Sequence, residues 1–556
     1  PRPAPARPPT DAPTQAAVTP TLRPTSLPTA TATPQPTASP TPAPPVTPDL
    51  YVQAADIAFF PVPALYAGDL VTIRVAPDLP AGLAPNDVDI QLQVDGRDLA
   101  AGTLGQRNLA GEPVGLFEWV WDTRGQAGQH IVSVLLDPDN AVQVGDENPH
   151  NNRADVPVNV LLPAGLSDLE ANAEWVTAAT TCCRLHVVSG TAAQRDLYRL
   201  TEGVQIAFER AAERLGEELA GPYEVYLIDR VIGQGGYSGQ TMVVSYLDRD
   251  YAGGGLDEVL THEAVHLLDR SFAPERITFL SEGVAVWAAG GHYRQEEAGR
   301  RMAALVELGQ ALPLTQVIDN FYASQHEIGY LQAASLIEYL VAGHGWPRVR
   351  SFYADASPRD GASPAAAVSA TLERHFGRSL AEVERDWLTY LGGLPRNPRT
   401  LDDLRLTLRL YETMRRYQSM YDPGAYYLSA WLPDPAAAEA RGATADFSRH
   451  PEAESNLALE TMLQSANGLW LAGEYGRAHA ILDSVERVLN HNGAFLDPLA
   501  KAHLDIVRAA AQVGYEVQTL TIAGDRATVV ATWPSLPTLQ HLTFGLVEGG
   551  AWVLLS

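Results

Sequence analysis

Two histidines four residues apart, with a glutamate directly after the first, are the side chains of this sequence best suited to chemistry. They are His262, Glu263 and His266 in the stretch His-Glu-Ala-Val-His. On a helix, residues four apart lie one turn from each other on the same face, so both imidazoles can reach one metal ion. The Glu263 carboxylate lies beside that face, where it can reach a water without taking a ligand position. The pattern predicts zinc as cofactor and hydrolysis as the chemistry.

The residues around this stretch favour a helix over a loop. Apolar side chains recur at helical spacing on both sides of the motif, and Asp257 and Glu258 stand in the first turn, where the helix dipole favours acidic groups. A second helix is predicted a short way downstream, with Ser281 as its N-cap and Glu282 in its first turn. Both predicted helices therefore carry side chains that suit a metal site.

A zinc helix of this kind, followed by a Glu-Gly-apolar-Ala helix, resembles the gluzincin metallopeptidases, particularly the peptidase MA-like group. The second segment here reads Ser-Glu-Gly-Val-Ala from residue 281 to residue 285. The resemblance implies that Glu282 is the third zinc ligand after His262 and His266. It also implies that Glu263 is the general base that activates water.

A third segment supports the same resemblance. Residues 330–340 begin with Tyr330 and are similar to the gluzincin helix whose leading tyrosine hydrogen-bonds the oxyanion of the transition state. The resemblance therefore implies this catalytic role for Tyr330, with His326 as an alternative donor. It covers about residues 175–395.

The chain departs from the gluzincin aminopeptidases upstream of the zinc helix. Those enzymes carry a Gly-Ala-Met-Glu-Asn segment that holds the free amine of the substrate. Residues 236–245 read Gly-Tyr-Ser-Gly-Gln-Thr-Met-Val-Val-Ser here and contain no carboxylate. Aminopeptidase activity is therefore not implied. We expect the strand at residues 241–245 to pair with extended substrate backbone.

Two other residues compete with Glu282 for the third ligand position. They are Asp269 and His292. Asp269 follows His266 by three residues on the same helical face, so we expect it to hydrogen-bond a ligating imidazole rather than to bind the metal itself.

Charge and cysteine content exclude several classes of partner. The chain has 66 acidic and 39 basic residues and a formal net charge of -27, so phosphate repulsion argues against nucleic acid or anionic membrane as a partner. No apolar run is long enough to span a membrane. Cys182 and Cys183 are adjacent, and we expect two buried thiols in a strand, with a vicinal disulfide as the alternative.

Composition and hydrophobic period predict a multidomain protein of four regions. Residues 1–48 are rich in proline, threonine and alanine, which predicts a disordered tether. Residues 49–162 show short alternating strands, typical of an all-β immunoglobulin-like sandwich. Residues 163–400 are predicted to be an α+β gluzincin (thermolysin-like) domain, and residues 401–556 an α+β accessory domain.

The end of the β-rich region resembles CARDB-type adhesion modules. Residues 147–152 read Glu-Asn-Pro-His-Asn-Asn and precede a last strand, as in those modules. The acidic loop at residues 137–146 is interpreted as a solvated turn, with a calcium site as the alternative.

These features predict an exported zinc metallopeptidase, located at the cell surface or outside the cell, that acts on a peptide or protein. The tether is of the kind that separates an upstream membrane or cell-wall anchor from an extracellular domain. Lys501 is the only lysine, which is typical of GC-rich bacterial genes. The alternatives are a cell-surface binding or adhesion protein with an inactive gluzincin scaffold, and a zinc hydrolase of non-peptide substrates.

Overall fold

The structure is a computed structural model. It describes residues 49–106, 115–142, 145–426, 432–533 and 536–556, without the side chains of residues 536 and 537. The predicted tether at residues 1–48 lies outside the described residues. Among the described helices, none is long and apolar enough to cross a membrane.

Described residues from 49 to 162, the N-terminal β module, form two sheets around one core. The strands are β1 (Ile57–Phe60), β2 (Leu65–Tyr66), β3 (Leu70–Val75), β4 (Asp89–Val94), β5 (Arg97–Thr103), β6 (Phe117–Asp122), β7 (Gly128–Leu136) and β8 (Arg153–Leu161). One sheet has the order β1-β3-β6 and the other β2-β8-β7-β4-β5. Successive side chains of a strand point to opposite faces, and the inward ones, such as Val71 and Val134, share the core.

A mixed sheet follows, with the order β12-β13-β11-β10-β9. Its strands are β9 (Trp175–Ala179), β10 (Cys183–Val188), β11 (Tyr223–Ile228), β12 (Gly236–Ser238) and β13 (Met242–Ser245). The central strands β10, β11 and β13 are parallel and are buried along most of their length, as in parallel sheets covered on both faces.

Two expectations for this sheet are wrong. The strand at residues 241–245 cannot pair with a substrate, because β13 already pairs with β11 on one side and with β12 on the other. The edge strands of this sheet, among the described residues, are β12 and β9, and β12 is the one next to β13. Cys182 and Cys183 are not free thiols but form a vicinal disulfide at the start of β10, where both are buried.

Helices surround this sheet and form the largest core of the described residues. They are α1 (Asp168–Ala171), α2 (Ala192–Arg195), α3 (Leu197–Leu215), α4 (Leu256–Leu268), α5 (Thr278–Ala289), α6 (Ala298–Glu307), α7 (Leu314–Asp319), α8 (His326–His344), α9 (Trp346–Asp355), α10 (Pro364–Phe376) and α11 (Leu380–Gly392). The predicted metal motif lies on α4, as its helical spacing indicated. The N-cap of α5 is Ile277, so the prediction that Ser281 caps this helix is wrong by one turn.

The remaining chain forms helices and then an antiparallel sheet. The helices are α12 (Pro398–Tyr421), α13 (Pro435–Arg441), α14 (Ala445–Ser448), α15 (Glu454–Leu471), α16 (Tyr475–Asn490) and α17 (Pro498–Gln512). The strands, in the order β14-β15-β16-β17, are β14 (Glu516–Ala523), β15 (Arg526–Trp533), β16 (Leu536–Leu546) and β17 (Trp552–Leu554). Helix α12 belongs to two cores, since Leu404 packs with the preceding helices and Tyr411 packs with α15 and α16.

A buried ion pair joins the N-terminal β module to the segment after α14. The Arg449 guanidinium donates to both oxygens of Asp69 at 2.5 and 2.9 Å and lies 4.8 Å from the ring centre of Tyr66. Both charged side chains are less than a tenth exposed. In such a pair, removal of one partner leaves an uncompensated buried charge, so each residue depends on the other.

Helices α5 and α8 are in close contact at Gly283. A Cβ atom at this position would lie 2.7 Å from the carbonyl oxygen of Ala333 and 3.0 Å from Cγ1 of Ile337. The first of these neighbours is backbone and cannot move without shifting α8. The absence of a side chain at Gly283 therefore sets the distance between the two helices.

We predict that Gly283→Ala lowers the free energy of unfolding by about 1–3 kcal/mol, the usual cost of an overpacked core. Urea denaturation measures this change. Gly203→Ala is the matched control, because Gly203 also lies inside a helix but a Cβ there has no atom within 4 Å. The control should be stabilised by up to about 1 kcal/mol through its higher helix propensity. Equal effects of the two changes would contradict the close-contact interpretation.

Candidate metal centre

Three predicted ligands from two helices converge on one point. His262 and His266 extend from α4, and Glu282 extends from α5. The Glu282 Oε2 atom lies 3.1 Å from His262 Nε2 and 3.2 Å from His266 Nε2, and the two imidazole nitrogens are 3.1 Å apart. Among the described residues, these are the three that form a group able to hold a metal ion.

The distances within this cluster fit a tetrahedral zinc ion. With bonds of about 2.0–2.1 Å, zinc holds its ligand atoms about 3.3 Å from one another. The three observed separations of 3.1–3.2 Å are close to that value. Two imidazoles and one carboxylate are also a donor set that catalytic zinc sites use, and they leave a fourth position open. The residues present therefore fit the ion that the sequence implies.

Ser281, rather than Asp269, orients the second histidine. The Ser281 Oγ atom lies 3.2 Å from His266 Nδ1, within hydrogen-bond distance. The expectation that Asp269 holds this imidazole is wrong, because its carboxylate accepts hydrogen bonds from Arg276 and from Tyr353, the latter at 2.6 Å. Asp269 follows the last residue of α4 and faces these two side chains instead.

When no metal ion is bound, a protonated imidazole compensates the negative charge of the Glu282 carboxylate. Burial disfavours a charged imidazole, but the adjacent Glu282 carboxylate outweighs it and raises the pKa of His266 to about 9. Burial likewise opposes ionisation of Glu282, yet His266 and His262 hold the pKa of that carboxyl well below its usual range. At neutral pH Glu282 is therefore ionised and His266 is protonated, so zinc must displace a proton.

Glu263 lies between the histidines in sequence but is not one of the three residues whose ligand atoms converge. Its carboxyl group is buried, and its Oε2 atom has no hydrogen-bond partner. Burial raises the pKa of Glu263, although His262 and His266 act in the opposite direction. The side chain runs along β12, since a Cβ on Gly236 would lie 3.3 Å from Glu263 Cγ. An orphaned carboxylate oxygen beside the cluster is a site for a proton or a water.

Tyr330 lies among aromatic rings next to the cluster. Its ring centre is 6.0 Å from that of His262, 4.0 Å from that of His326 and 4.5 Å from that of His292. The side chain is 9% exposed, and burial is the main cause that raises its pKa well above the usual value. Tyr330 and His326, the two candidate oxyanion donors, therefore stack on each other beside the cluster.

His292 is not part of the ligand cluster. Its Nδ1 atom hydrogen-bonds Glu327 at 3.1 Å, and it is not one of the residues whose ligand atoms converge. The prediction of His292 as a rival third ligand is therefore not supported by the geometry. Burial lowers the pKa of His292 well below its usual value, so the ring is neutral.

Tyr322 is a residue of the centre that the sequence did not indicate. Its hydroxyl donates to Glu282 Oε1 at 3.3 Å, and half of the side chain is exposed. The Glu282 charge is the main cause that raises the pKa of Tyr322. The two residues are 40 positions apart and on different elements, so no local spacing relates them.

Comparisons by sequence find no relative. No protein-family model matches the chain, and no curated protein matches it.

Solved structures of two kinds are similar to parts of the chain. The CARDB domain of a Pyrococcus furiosus protein, in complex with di-metal ions, is 21% identical over 21% of this chain and 90% of its own, with a TM-score of 0.17. An M1 zinc metallopeptidase from Deinococcus radiodurans is 13% identical over 60% of this chain and 94% of its own, with a TM-score of 0.27. Yeast LTA4 hydrolase in complex with bestatin is 13% identical over 78% of this chain and 92% of its own, with a TM-score of 0.30.

The similar structures are therefore a CARDB domain, an M1 zinc metallopeptidase and LTA4 hydrolase.

We predict that zinc affinity rises with pH up to about pH 9. Below the His266 pKa of about 9, zinc competes with one proton, so each pH unit changes the apparent affinity by up to about tenfold. Isothermal titration calorimetry at about pH 6, 7 and 8, in buffers of different ionisation enthalpy, measures both the affinity and the proton released. An affinity that does not change over this range, with no proton released, would rule out a protonated His266.

Proposed function

We propose that this chain is an exported zinc metallopeptidase that hydrolyses peptide bonds. The observation that supports it best is the convergence of His262, His266 and Glu282 to 3.1–3.2 Å. A buried carboxylate with an unpartnered oxygen, Glu263, stands beside them. This combination suits hydrolysis, because a structural zinc site would need a fourth protein ligand and no adjacent base.

The bound zinc supplies a Lewis acid that polarises a carbonyl and lowers the pKa of water. Glu263 accepts the proton of the attacking water at its unpartnered Oε2 atom and then transfers it to the leaving amine. Burial raises the pKa of Glu263. A carboxyl group with a raised pKa is better suited both to accept a proton and to return it, so burial favours this exchange.

The tyrosines supply hydrogen-bond donors to the tetrahedral oxyanion. Tyr330, buried beside His262, is the donor that the resemblance implies. Tyr322 is a second donor, since its hydroxyl already lies beside Glu282 and half of its side chain faces solvent. Its exposure allows it to meet a substrate from the open side of the centre.

The free edge of β12 is the place where we propose that a peptide binds. Ser238 on this strand donates its hydroxyl to the backbone oxygen of Glu263 at 2.9 Å, so the edge lies directly beside the catalytic helix. Strand β12 pairs with β13 on one side and has no strand partner on the other among the described residues. An extended peptide can add to such an edge through main-chain hydrogen bonds.

The regions before the peptidase define where it acts. In this proposal the N-terminal β module is an immunoglobulin-like, CARDB-type module, and residues 1–48 tether the protein to the outer cell surface. The proline- and threonine-rich composition of those residues and the two sheets around one core support this part of the proposal.

We predict that Glu263→Gln abolishes peptide hydrolysis and leaves zinc bound. The amide has almost the same shape but cannot accept a proton, so kcat should fall by about a hundredfold or more. Glu258→Gln is the matched control: it lies on the same helix one turn earlier and hydrogen-bonds Gln295, away from the cluster. Cleavage of a peptide library with and without a chelator measures both. Full activity in Glu263→Gln would eliminate the mechanism.

We predict that the purified chain binds about one zinc per molecule, as a three-ligand catalytic site requires. His262→Ala should lose the metal, whereas His491→Ala, a change at an exposed histidine outside the centre, should retain it. Atomic emission spectroscopy after dialysis provides the measurement. A wild-type chain that binds no zinc would favour a binding or adhesion protein with an inactive scaffold.

A further inference from the structure

We infer that His292 is a positioning residue for Tyr330, and that a buried ion network holds His292 in place. The network includes Glu327, Arg301 and Asp403, and it reaches Tyr475 on α16. Helices α12 and α16 are therefore part of the catalytic unit. The inference rests on the proposed function in one respect, namely that Tyr330 acts in catalysis.

The contact between His292 and Tyr330 is a near-parallel ring stack. The ring centres are 4.5 Å apart, and the planes are inclined by 6°. His292 lies in the loop after α5, whereas Tyr330 lies on α8, so the stack joins two elements at the level of the zinc ligands. A flat stack restricts the tilt of the tyrosine ring but lets it slide within the plane. His292 therefore limits the tilt of the Tyr330 ring, together with His326, which stacks on the same ring at 4.0 Å.

His292 is fixed by a carboxylate that is completely buried. Its Nδ1 atom hydrogen-bonds Glu327 Oε2 at 3.1 Å, and Glu327 has no exposed surface. The other oxygen of Glu327 accepts a hydrogen bond from Arg301 Nε at 3.0 Å. Arg301 is itself 3% exposed. Glu327 thus holds the imidazole on one side and is held by a guanidinium on the other.

The network continues into the chain beyond residue 400. Arg301 also donates to Asp403 at 2.6 Å and to Thr407 at 2.7 Å, both on α12. Asp403 in turn accepts hydrogen bonds from Arg294 at 2.6 Å and from Tyr475, the first residue of α16, at 2.8 Å. The position of the His292 ring therefore depends on helices that contribute nothing to the metal cluster.

Filling this buried space with charged side chains costs free energy of hydration. Apolar residues of the same volume would serve stability equally well or better, because several buried ions lose their hydration. The buried ions instead add specificity, because their directional hydrogen bonds permit a single arrangement of the side chains. Such an arrangement suits a donor like Tyr330, since groups that act in a transition state must be held to within about 0.5 Å.

A double-mutant cycle between His292→Gln and Tyr330→Phe tests the inference in the full-length zinc form. The glutamine can still hydrogen-bond Glu327 but has no ring to stack. In the wild-type background, His292→Gln should lower kcat by about tenfold to a hundredfold through misplacement of the tyrosine, with KM within about twofold and zinc content unchanged. In the Tyr330→Phe background, the same change should have an effect of less than about twofold. Equal effects in both backgrounds, or loss of zinc, would overturn the inference.

A second cycle measures the same coupling without catalysis. In the zinc-free chain, the Tm shift of the double variant should be smaller than the sum of the two single shifts, because both changes remove one stack. Additive shifts would count against the stack. If wild-type chain cleaves no peptide, the proposed function fails, and this measurement still decides whether the two rings are coupled.

Tyr475→Phe tests the far end of the network and does not disturb the buried charges. It removes the hydroxyl that donates to Asp403, and it should cause a smaller loss of kcat that disappears in the Tyr330→Phe background. Unchanged kcat in Tyr475→Phe would overturn the extension of the catalytic unit to α16. His503→Gln is the control, because His503 is also buried, at 2% exposure, but bonds only within α17. It should lower Tm and leave kcat unchanged. If His292→Gln does not fold, the Tyr475→Phe cycle takes its place, and unchanged kcat in Tyr475→Phe then overturns the whole inference.

Discussion

The contact of Gly283 with the backbone of Ala333 is the constraint on which the metal centre depends. It brings α5 and α8 closer than any side chain would allow. Glu282 directly precedes Gly283, and Tyr330 lies three residues before Ala333, one turn along α8. One backbone contact therefore fixes a proposed zinc ligand relative to a proposed oxyanion donor. The histidines of α4 then complete the centre from a third helix.

The compensation of buried negative charge is a second constraint on this structure. The chain is strongly acidic, yet the buried carboxylates of the metal cluster and of the ion network lie beside cationic groups. Glu282 is balanced by the histidines, whereas Glu327 and Asp403 are balanced by Arg301 and Arg294. In the metal centre the compensating cation is a proton, which zinc can replace, whereas in the network it is a permanent guanidinium. The first arrangement is exchangeable and the second is rigid, which suits a reactive centre with a fixed support.

The sequence predicted those parts of the structure whose signals are local. The spacing of His262 and His266 is a property of one helix, and the acidic residues Asp257 and Glu258 in its first turn are an equally local signal. The rest depends on long-range packing. Nothing in the sequence shows that Tyr322 folds back onto Glu282, or that Asp269 turns to Tyr353 while Ser281 takes its place at the imidazole. The order of the strands in the sheet places β12, rather than β13, at the edge, and a short motif does not encode this order.

The ion pair between Asp69 and Arg449 also bears on how the protein matures. The two residues are 380 positions apart in the chain. At translation rates of about 5–20 residues per second, the arginine is made roughly 20–80 s after the aspartate. The N-terminal β module has a core of its own and can fold within that interval, with the Asp69 carboxylate facing water. Water can leave this carboxylate, and the module can become fixed to the rest of the chain, only after synthesis has passed Arg449.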